Sequence, residues 1–416
     1  MPNATREFVE YLFQKASQIT EGIMEKAEQC RQDYSAVAAA GAAKNRAHWE
    51  KMLAKLPAGN AELIGYPQKA DSRTAALVNG FNAHALELDD GQRFAMIHLG
   101  ASVISAIRAA ADDCAMTGDQ LRKGVIMGYE AACRAAIAMQ PSHKNRGYHA
   151  AGTCGTIGSA IGVAFALEMN RDQVNRVLTC AAGSAAGMLE IQEQKSELKP
   201  YNVGRAAMDG LTAAYMGFTD YETPEDMLGG ERGFFKAFSD QWDIEKLTEK
   251  TDYFEIERIY VKPYASCRHS HSAVEAAIRL HEGVDLARIE GVEVRTYKLG
   301  VKGHDHTDIQ GIASAKLSTP YAVAAGLLYG RADLSVFEPL DEQILELAKK
   351  VKVEEDPALT AESPRKRIAI VTVWLTGGTG ETARVDYAKG DPENPMTEDE
   401  LAEKKRLLFA YSANCK

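Results

Sequence analysis

The chain lacks the features that mark proteins that bind nucleic acids, span membranes or depend on disulfides. Its 416 residues carry a formal net charge of −10, which argues against nucleic acid as a partner because phosphate binding needs a basic surface. No stretch approaches the roughly 20 apolar residues of a membrane span. The charged N-terminus contains no apolar signal segment. We therefore expect a cytoplasmic protein that binds neither nucleic acid nor a membrane.

The cysteines follow no recognisable spacing pattern. The seven cysteines form no C-x-x-C pair and are odd in number, so reduced thiols are the simplest interpretation. The chain also has no nucleophile elbow, no Walker motif and no dinucleotide fingerprint. These absences argue against a nucleotide-binding protein, and we expect no cofactor.

What the chain does have is enough length for two domains and an ordinary composition, 45% hydrophobic and 25% charged. Helical periodicity dominates up to about residue 252, with Thr117 as a predicted cap and a Gly- and Ala-rich helix at about 153–168. From about residue 253 alternating patterns predict strands at 256–262 and 292–296 and a hairpin at 368–387. A helix is predicted at 341–352, and Thr397 begins a last helix through a capping box.

These patterns predict a mainly α fold with a large all-helical domain and a smaller α+β lid domain. The helical domain comprises residues 1–252 and 397–416, and the lid comprises residues 253–396. We expect the C-terminal tail to return to the first domain, because the chain is helical, then α+β, then helical again.

The stretch from Gly147 to Gly210 contains a candidate base and a candidate cation for catalysis. His149 opens this stretch within a run of small residues, which let a backbone approach a ligand closely. Histidine is the usual general acid or base near neutral pH, although a lone histidine is more often a core or surface residue. His98 follows an acidic turn, and the same two interpretations, general acid/base or core or surface residue, apply to it.

Cations and acids accompany the two histidines. Lys199 and Lys262 each precede a Pro-Tyr pair, which suits recognition of a carboxylate or stabilisation of developing charge, whereas the ordinary alternative is a solvated lysine. Arg205 can clamp an anion or form a structural ion pair. Asp89 and Asp90 can act as an acid/base pair or cap the following helix, and capping is the usual role.

Two H-x-H pairs suggest metal binding at first sight. His269 and His271 form one pair, and His304 and His306 form the other. The second resembles part of a binuclear zinc hydrolase motif but lacks the histidine that should follow Asp308, and no matching downstream ligands are apparent. We therefore predict no metal site.

Taken together, several segments resemble the MmgE/PrpD family, which includes 2-methylcitrate dehydratases, cis-aconitate decarboxylases and an iminodisuccinate epimerase. The resemblance covers nearly the whole chain, and it rests on the order and spacing of its motifs. These are HALELDDG (84–91) followed by His98, YHAAGTCGTIGSA (148–160), KPYNVGRAA (199–207), LGGERGFF (228–235), VKPYASCRHSHSAVEAA (261–277) and DPENPMTEDELAEK (391–404).

The resemblance implies a homodimer with its active site in the cleft between the helical domain and the lid. The residues that match the family's active-site positions are His98, His149, Lys199, Lys262 and Tyr321. Asp89 and Asp90 match its acidic turn. The family often has Asp at Glu87, Thr at Gly91 and Pro at Leu99, and all three differences lie in one loop that we expect to face the substrate.

We therefore predict a cofactor-independent lyase that acts on a small di- or tricarboxylate. Lys199, Lys262 and Arg205 would bind the substrate with Asp89 and Asp90, His149 or His98 would move a proton at the carbon next to a carboxylate, and Tyr321 would be the opposite acid/base. A dehydratase is favoured by family frequency. A decarboxylase and an epimerase stay open, as do a non-catalytic binding or scaffold protein and a metal hydrolase.

Overall fold

The computed structural model describes residues 3–193 and 196–414. It is 58% helical with small sheets, which agrees with the predicted mainly α class. The helices, in chain order, are α1 Ala4–Ala16, α2 Glu21–Leu53, α3 Ser72–His84, α4 Gly100–Asp113, α5 Gly118–Ile137, α6 Ser142–Asn145, α7 Ala150–Ala166, α8 Arg171–Ser184, α9 Lys199–Tyr215, α10 Phe234–Phe238, α11 His271–His281, α12 Lys298–Val301, α13 Ile312–Leu317, α14 Thr319–Tyr329, α15 Glu342–Ala348, α16 Pro357–Glu362 and α17 Glu398–Asn414.

The strands are short in the first part of the chain and longer in the second. They are β1 Ala61–Glu62, β2 Lys69–Ala70, β3 Gly91–Gln92, β4 Ile259–Tyr260, β5 Ile289–Thr296, β6 Val351–Glu355, β7 Ala369–Leu375 and β8 Thr379–Val385. No helix in the described part of the chain is both long and apolar enough to cross a membrane.

The chain forms two compact units. Among the described residues, the first falls in the ranges Met1–Gln192, Leu198–Ile259 and Leu401–Lys416, and the second in Glu193–Glu197 and Tyr260–Glu400. The predicted boundaries at residues 253 and 397, and the lid role of the smaller part, stay predictions.

Helix α7 is the centre of the first unit, and each of its residues is buried. It packs against α4, α5, α8 and α9. Its contact with α5 depends on glycine, because a Cβ at Gly158 would lie 2.6 Å from the Cβ of Ala132 and 2.7 Å from the carbonyl oxygen of Gly128. Glycine therefore lets the two backbones approach more closely than any larger residue would allow.

Local signals set the helix ends as the sequence predicted. The hydroxyl of Thr117 accepts the backbone N–H of Gln120, whose side chain accepts the N–H of Thr117 in return, so the predicted cap of α5 is confirmed. Thr397 and Glu400 form the same reciprocal pair at the start of α17.

Helix α17 is tied to the first unit through a buried ion pair. The ammonium of Lys404 lies 2.7 Å from Oδ1 of Asp33 in α2 and donates a hydrogen bond of 2.9 Å to the carbonyl oxygen of Leu88. Because Leu88 precedes Asp89, the C-terminal helix helps to hold the acidic turn.

A four-stranded sheet of order β6-β5-β7-β8 lies in the second unit. Strands β5 and β6 are parallel, whereas β7 pairs antiparallel with both β5 and β8. Ala369, Val371, Val373 and Leu375 are buried on one face of β7, and α11 packs on β7 and β8. The hairpin predicted at 368–387 and the strand predicted at 292–296 are confirmed.

Two predicted elements were wrong. Residues Glu255–Arg258 form a 3₁₀ turn and only Ile259–Tyr260 is strand, because the Glu257 carboxylate accepts the N–H of Phe254 at 2.7 Å and closes a turn instead. The helix predicted at 341–352 ends at Ala348, and β6 begins at Val351. Val351 and Val353 are buried in that strand, so the alternation of strand side chains prevailed over the helical period.

Candidate active site

The loop between α3 and α4, residues 85–99, brings an acidic turn against the last residue of α3. That residue is His84, and its Nδ1 lies 2.7 Å from Oδ2 of Asp89. Oδ2 of the same carboxylate lies 3.3 Å from Nδ1 of His98. Burial by itself raises the pKa of Asp89, but the His84 and His98 imidazoles outweigh it and hold the pKa well below its usual range. Asp89 is therefore a buried anion between two imidazole rings.

Both carboxylate oxygens of Asp90, the next residue, accept hydrogen bonds inside the protein. Its Oδ1 accepts the N–H of Gly100 at 2.8 Å, which satisfies one of the free N–H groups at the start of α4. Its Oδ2 accepts the hydroxyl of Tyr129 at 2.6 Å. Burial raises the pKa of Asp90 to about 6, although these two hydrogen bonds lower it. The capping role proposed for this acidic turn is confirmed for Asp90.

His98 is held in one tautomer by its backbone contact. Its Nδ1 lies 2.9 Å from the carbonyl oxygen of Asp90, and a carbonyl oxygen can only accept, so Nδ1 carries the proton. In the neutral ring this leaves the lone pair on Nε2. The side chain is 15% exposed. The geometry therefore prepares His98 to accept a proton at Nε2.

His149 is held in the opposite tautomer. It is the residue before α7, and its side chain makes no capping hydrogen bond. The amide nitrogen of Asn202 donates to the carbonyl oxygen of Met188 at 3.1 Å and lies 3.4 Å from Nδ1 of His149. Because an NH₂ group only donates, Nδ1 accepts and Nε2 carries the proton of the neutral ring.

Burial, followed by the charges of His84, Lys199 and His98, lowers the pKa of His149 well below its usual range. A neutral imidazole with a proton on Nε2 can donate a hydrogen bond to an oxygen on which negative charge develops. The structure thus places a proton donor and a proton acceptor, His149 and His98, in the same group of rings.

Lys199 supplies the positive charge of this group. It is the first residue of α9, followed by Pro200 within the first turn, where proline suits the helix start. Its ammonium forms an ion pair with the carboxylate of Glu87. Glu87 has a φ of 57°, a left-handed conformation that costs free energy in a residue other than glycine and is often kept at functional sites.

Arg205 lies further along α9 and joins neighbouring elements. Its guanidinium donates to the carbonyl oxygens of Ala186 at 2.5 Å, Gly152 at 3.3 Å and Ser184 at 3.3 Å, and it forms an ion pair with Asp209. These contacts support the structural interpretation of Arg205. Its predicted contact with substrate stays a prediction, as do those of Asp89 and Asp90.

Lys262 and Tyr321 lie in the second unit. Lys262 is fully buried. The hydroxyl of Tyr321 donates to the carbonyl oxygen of Val336 and accepts the N–H of Asp341, both at 3.2 Å. Their predicted catalytic and binding roles stay predictions.

The histidines of the two H-x-H pairs lie within the second unit, where the rings of His269 and His304 have centroids 5.4 Å apart. His269 Nδ1 contacts the hydroxyl of Tyr297 at 2.6 Å, and His271 Nδ1 accepts from Arg268 at 2.9 Å. His304 Nδ1 donates to the carbonyl oxygen of Leu317 at 2.8 Å, and His306 lies 3.2 Å from the carbonyl oxygen of Ser314.

One group within residues 3–193 and 196–414 has the donors that a metal ion requires. It consists of His84, Asp89 and His98, whose ligand atoms lie within 4.8 Å of one another. The separation of 2.7 Å between His84 Nδ1 and Asp89 Oδ2 is that of a charge-assisted hydrogen bond. We therefore interpret the group as a hydrogen-bonded triad.

Comparison with known proteins identifies the family. The model of the MmgE/PrpD N-terminal domain matches residues 6–247, and that of the MmgE/PrpD C-terminal domain matches residues 264–415. The chain belongs to the MmgE/PrpD family.

Curated relatives match over most of the chain. Cis-aconitate decarboxylase of Aspergillus terreus is 25% identical over 384 residues, 85% of this chain and 77% of its own length. The cis-aconitate decarboxylase-like protein oryM of Aspergillus oryzae is 25% identical over 98% of this chain and 90% of its own length. Cis-aconitate decarboxylase of Mus musculus is 22% identical over 94% of this chain and 83% of its own length. The predicted MmgE/PrpD membership is confirmed.

Three residues of this MmgE/PrpD site were not predicted as site residues, although His84 and Asn202 lie within the motifs at 84–91 and 199–207. His84 is the end of an ordinary helical pattern, and it contacts Asp89 only because the chain turns back after α3. Asn202 orients His149 from a different helix. Tyr129 reaches Asp90 from the middle of α5. Spacing along the chain indicates none of these contacts, because each joins separate elements.

Proposed function

We propose that this protein is a cofactor-independent lyase that acts on a small di- or tricarboxylate. The observation that carries the proposal is the pair of histidines held in opposite tautomers, of which His149 is close enough to Lys199 for its charge to lower the pKa of the imidazole. His98 accepts a proton at the carbon next to a substrate carboxylate. Negative charge then develops on that carboxylate, where Lys199 and the Nε2–H of His149 stabilise it.

Decarboxylation of cis-aconitate or a close analogue is the first reaction to test. The support is the shared name of the curated relatives, which are cis-aconitate decarboxylases or decarboxylase-like at 22–25% identity. In this reaction the bond to the departing CO₂ breaks and its electron pair stays on the substrate. His98, entering this reaction with a proton on Nε2, delivers that proton to carbon and ends neutral. The same cation and donor stabilise that electron pair where it is delocalised into a carboxylate.

Two related reactions use the same residues. Removal of the proton followed by loss of hydroxide from the next carbon makes the enzyme a citrate or 2-methylcitrate dehydratase. Return of the proton to the opposite face makes it an epimerase of a substituted succinate. Both reactions are tested as well, because Glu87 contacts the lysine that we expect to hold a substrate carboxylate and can therefore affect which substrate binds.

The test is proton NMR in D₂O with cis-aconitate, citrate, 2-methylcitrate and substituted succinates. Loss of cis-aconitate with new vinyl signals and one incorporated deuteron supports the decarboxylase. New vinyl signals from citrate or 2-methylcitrate indicate the dehydratase, and deuterium uptake without net product indicates the epimerase. No change with any substrate would contradict the proposal and favour a non-catalytic binding protein.

The matched control for the assay is His48→Ala, because His48 is an exposed histidine of α2 outside the candidate site. We expect it to behave as the wild type, whereas His98→Ala loses turnover. The homodimer implied by the family stays a prediction that light scattering of the purified protein tests.

A further inference from the structure

His84 occupies a central and fully buried place in the candidate site. Its side chain has no exposure to solvent. Its ring centroid lies 4.9 Å from that of His98 and 5.9 Å from that of His149. Nδ1 donates to the carboxylate of Asp89 at 2.7 Å. His84 therefore contacts, directly or through Asp89, both of the histidines to which we assign proton transfer.

The second ring nitrogen of His84 is unsatisfied. Among the described residues, neither Nε2 of His84 nor Oδ1 of Asp89 has a hydrogen-bond partner. Leaving such atoms buried and unpaired lowers stability. A residue kept here for packing alone would not need a second polar nitrogen, so the cost indicates a role in the site.

We propose that His84 is a positioning residue that, with Asp89, couples the charge states of His98 and His149. The carboxylate of Asp89 contacts both His84 and His98, and the ring centroid of His84 lies 5.9 Å from that of His149. This inference rests on the proposed function, in which one histidine must accept a proton while the other stays neutral.

The charged and titratable groups around His149 come from several elements. His84 ends α3, Glu87 and His98 come from the following loop, and Lys199 begins α9. His84, Lys199 and His98 each lower the pKa of His149, after burial, and Glu87 raises it. Removing the His84 imidazole should therefore allow His149 to take up a proton at a higher pH.

The test compares wild type with His84→Asn. Asparagine can place an N–H donor near the position of Nδ1 and keep the contact with Asp89, but it has no imidazole ring. Histidines labelled with ¹³C at Cε1 are titrated by NMR in the full chain, with the His149 signal assigned by its loss in His149→Asn. We expect the His149 titration to move up by about one pH unit.

Turnover on the substrate that the NMR panel identifies provides the second measurement. We expect kcat to fall about 10-fold or more with KM changed by less than about threefold, and the acid limb of kcat/KM to move up with the NMR titration. His143→Gln is the control, because His143 is fully buried but is absent from the groups that shift the pKa of His149.

The outcomes separate this inference from the proposed function. Wild-type inactivity on every substrate overturns the proposed function, whereas the NMR titration still tests the coupling. An unchanged His149 titration in a folded His84→Asn protein overturns the coupling. If that variant does not fold, His84→Gln, which places an amide near the position of Nε2, is measured instead, and the same unchanged titration overturns the inference.

Discussion

The carboxylate of Glu87 is the ion-pair partner of the Lys199 ammonium, and their side chains are only 10% and 14% exposed. The cation that we expect to hold a substrate carboxylate therefore already holds a carboxylate of the protein. A substrate must displace Glu87 or share Lys199 with it.

Glu87→Gln should strengthen the binding of an anionic substrate. The amide competes less well for the ammonium, so we expect KM to fall about 5-fold or more, an effect in the range of a partly buried charged hydrogen bond. Steady-state kinetics on the substrate identified by NMR measure it. The same change made in Lys199→Met should have no further effect on KM, and an unchanged KM in Glu87→Gln alone would contradict competition.

His149→Ala and Lys199→Ala should each lower turnover at least ~100-fold, the usual contribution of a general acid/base or of a donor that stabilises developing charge. Single-turnover rates distinguish this loss from slower product release. His48→Ala is the control for loss of an imidazole. A rate near that of the wild type in either variant would remove that residue from the mechanism.

Arg205→Met should lower stability more than catalysis. The substitution leaves the carbonyl oxygens of Gly152, Ser184 and Ala186 without this donor, which we expect to cost about 1–3 kcal/mol. Urea unfolding followed by circular dichroism measures the loss. An increase in KM above about tenfold with an unchanged unfolding midpoint would instead assign Arg205 to substrate binding, since each tenfold corresponds to ~1.4 kcal/mol.

The stability of the protein should fall in mild acid because His143 is buried. Burial, with a smaller effect of Arg146, lowers the pKa of His143 from 6.5 to about 4. The folded state favours the neutral form of His143. Its contribution to the free energy of unfolding is therefore present above pH 6.5 and is lost as the pH falls towards 4. By linkage the loss at pH 5 is about 2 kcal/mol.

The measurement is urea unfolding of wild type and His143→Gln at pH 7 and pH 5. Glutamine can keep a hydrogen bond to the Thr153 hydroxyl, which lies 2.8 Å from His143 Nε2, but it does not titrate. We expect the wild type to lose about 2 kcal/mol more than the variant between these pH values. An equal loss in the two proteins would show that His143 titrates normally.

Much of the secondary structure could be predicted because its signals are local. The capping boxes at Thr117 and Thr397 and the hairpin of β7 and β8 depend on residues that are neighbours in the chain. The strand at 256–262 was predicted wrongly because the Glu257 carboxylate accepts the N–H of Phe254 and the Glu130 carboxylate accepts the N–H of Glu255. These hydrogen bonds hold a turn that alternation does not reveal. Strand β6 was missed for a similar reason, since it exists by pairing with β5.

The sequence by itself determined the family and the mainly α class, because these follow from ordered motifs and local periodicity. It also predicted the segments around His98, His149 and Lys199 as parts of the site. Only the tertiary structure decided which partner each group has. It placed Asp89 between His84 and His98, Asn202 beside His149, and Glu87 on Lys199. The tautomers and pKa shifts of the site follow from these contacts, since burial and the nearest charge set them and both depend on residues that are distant in the chain.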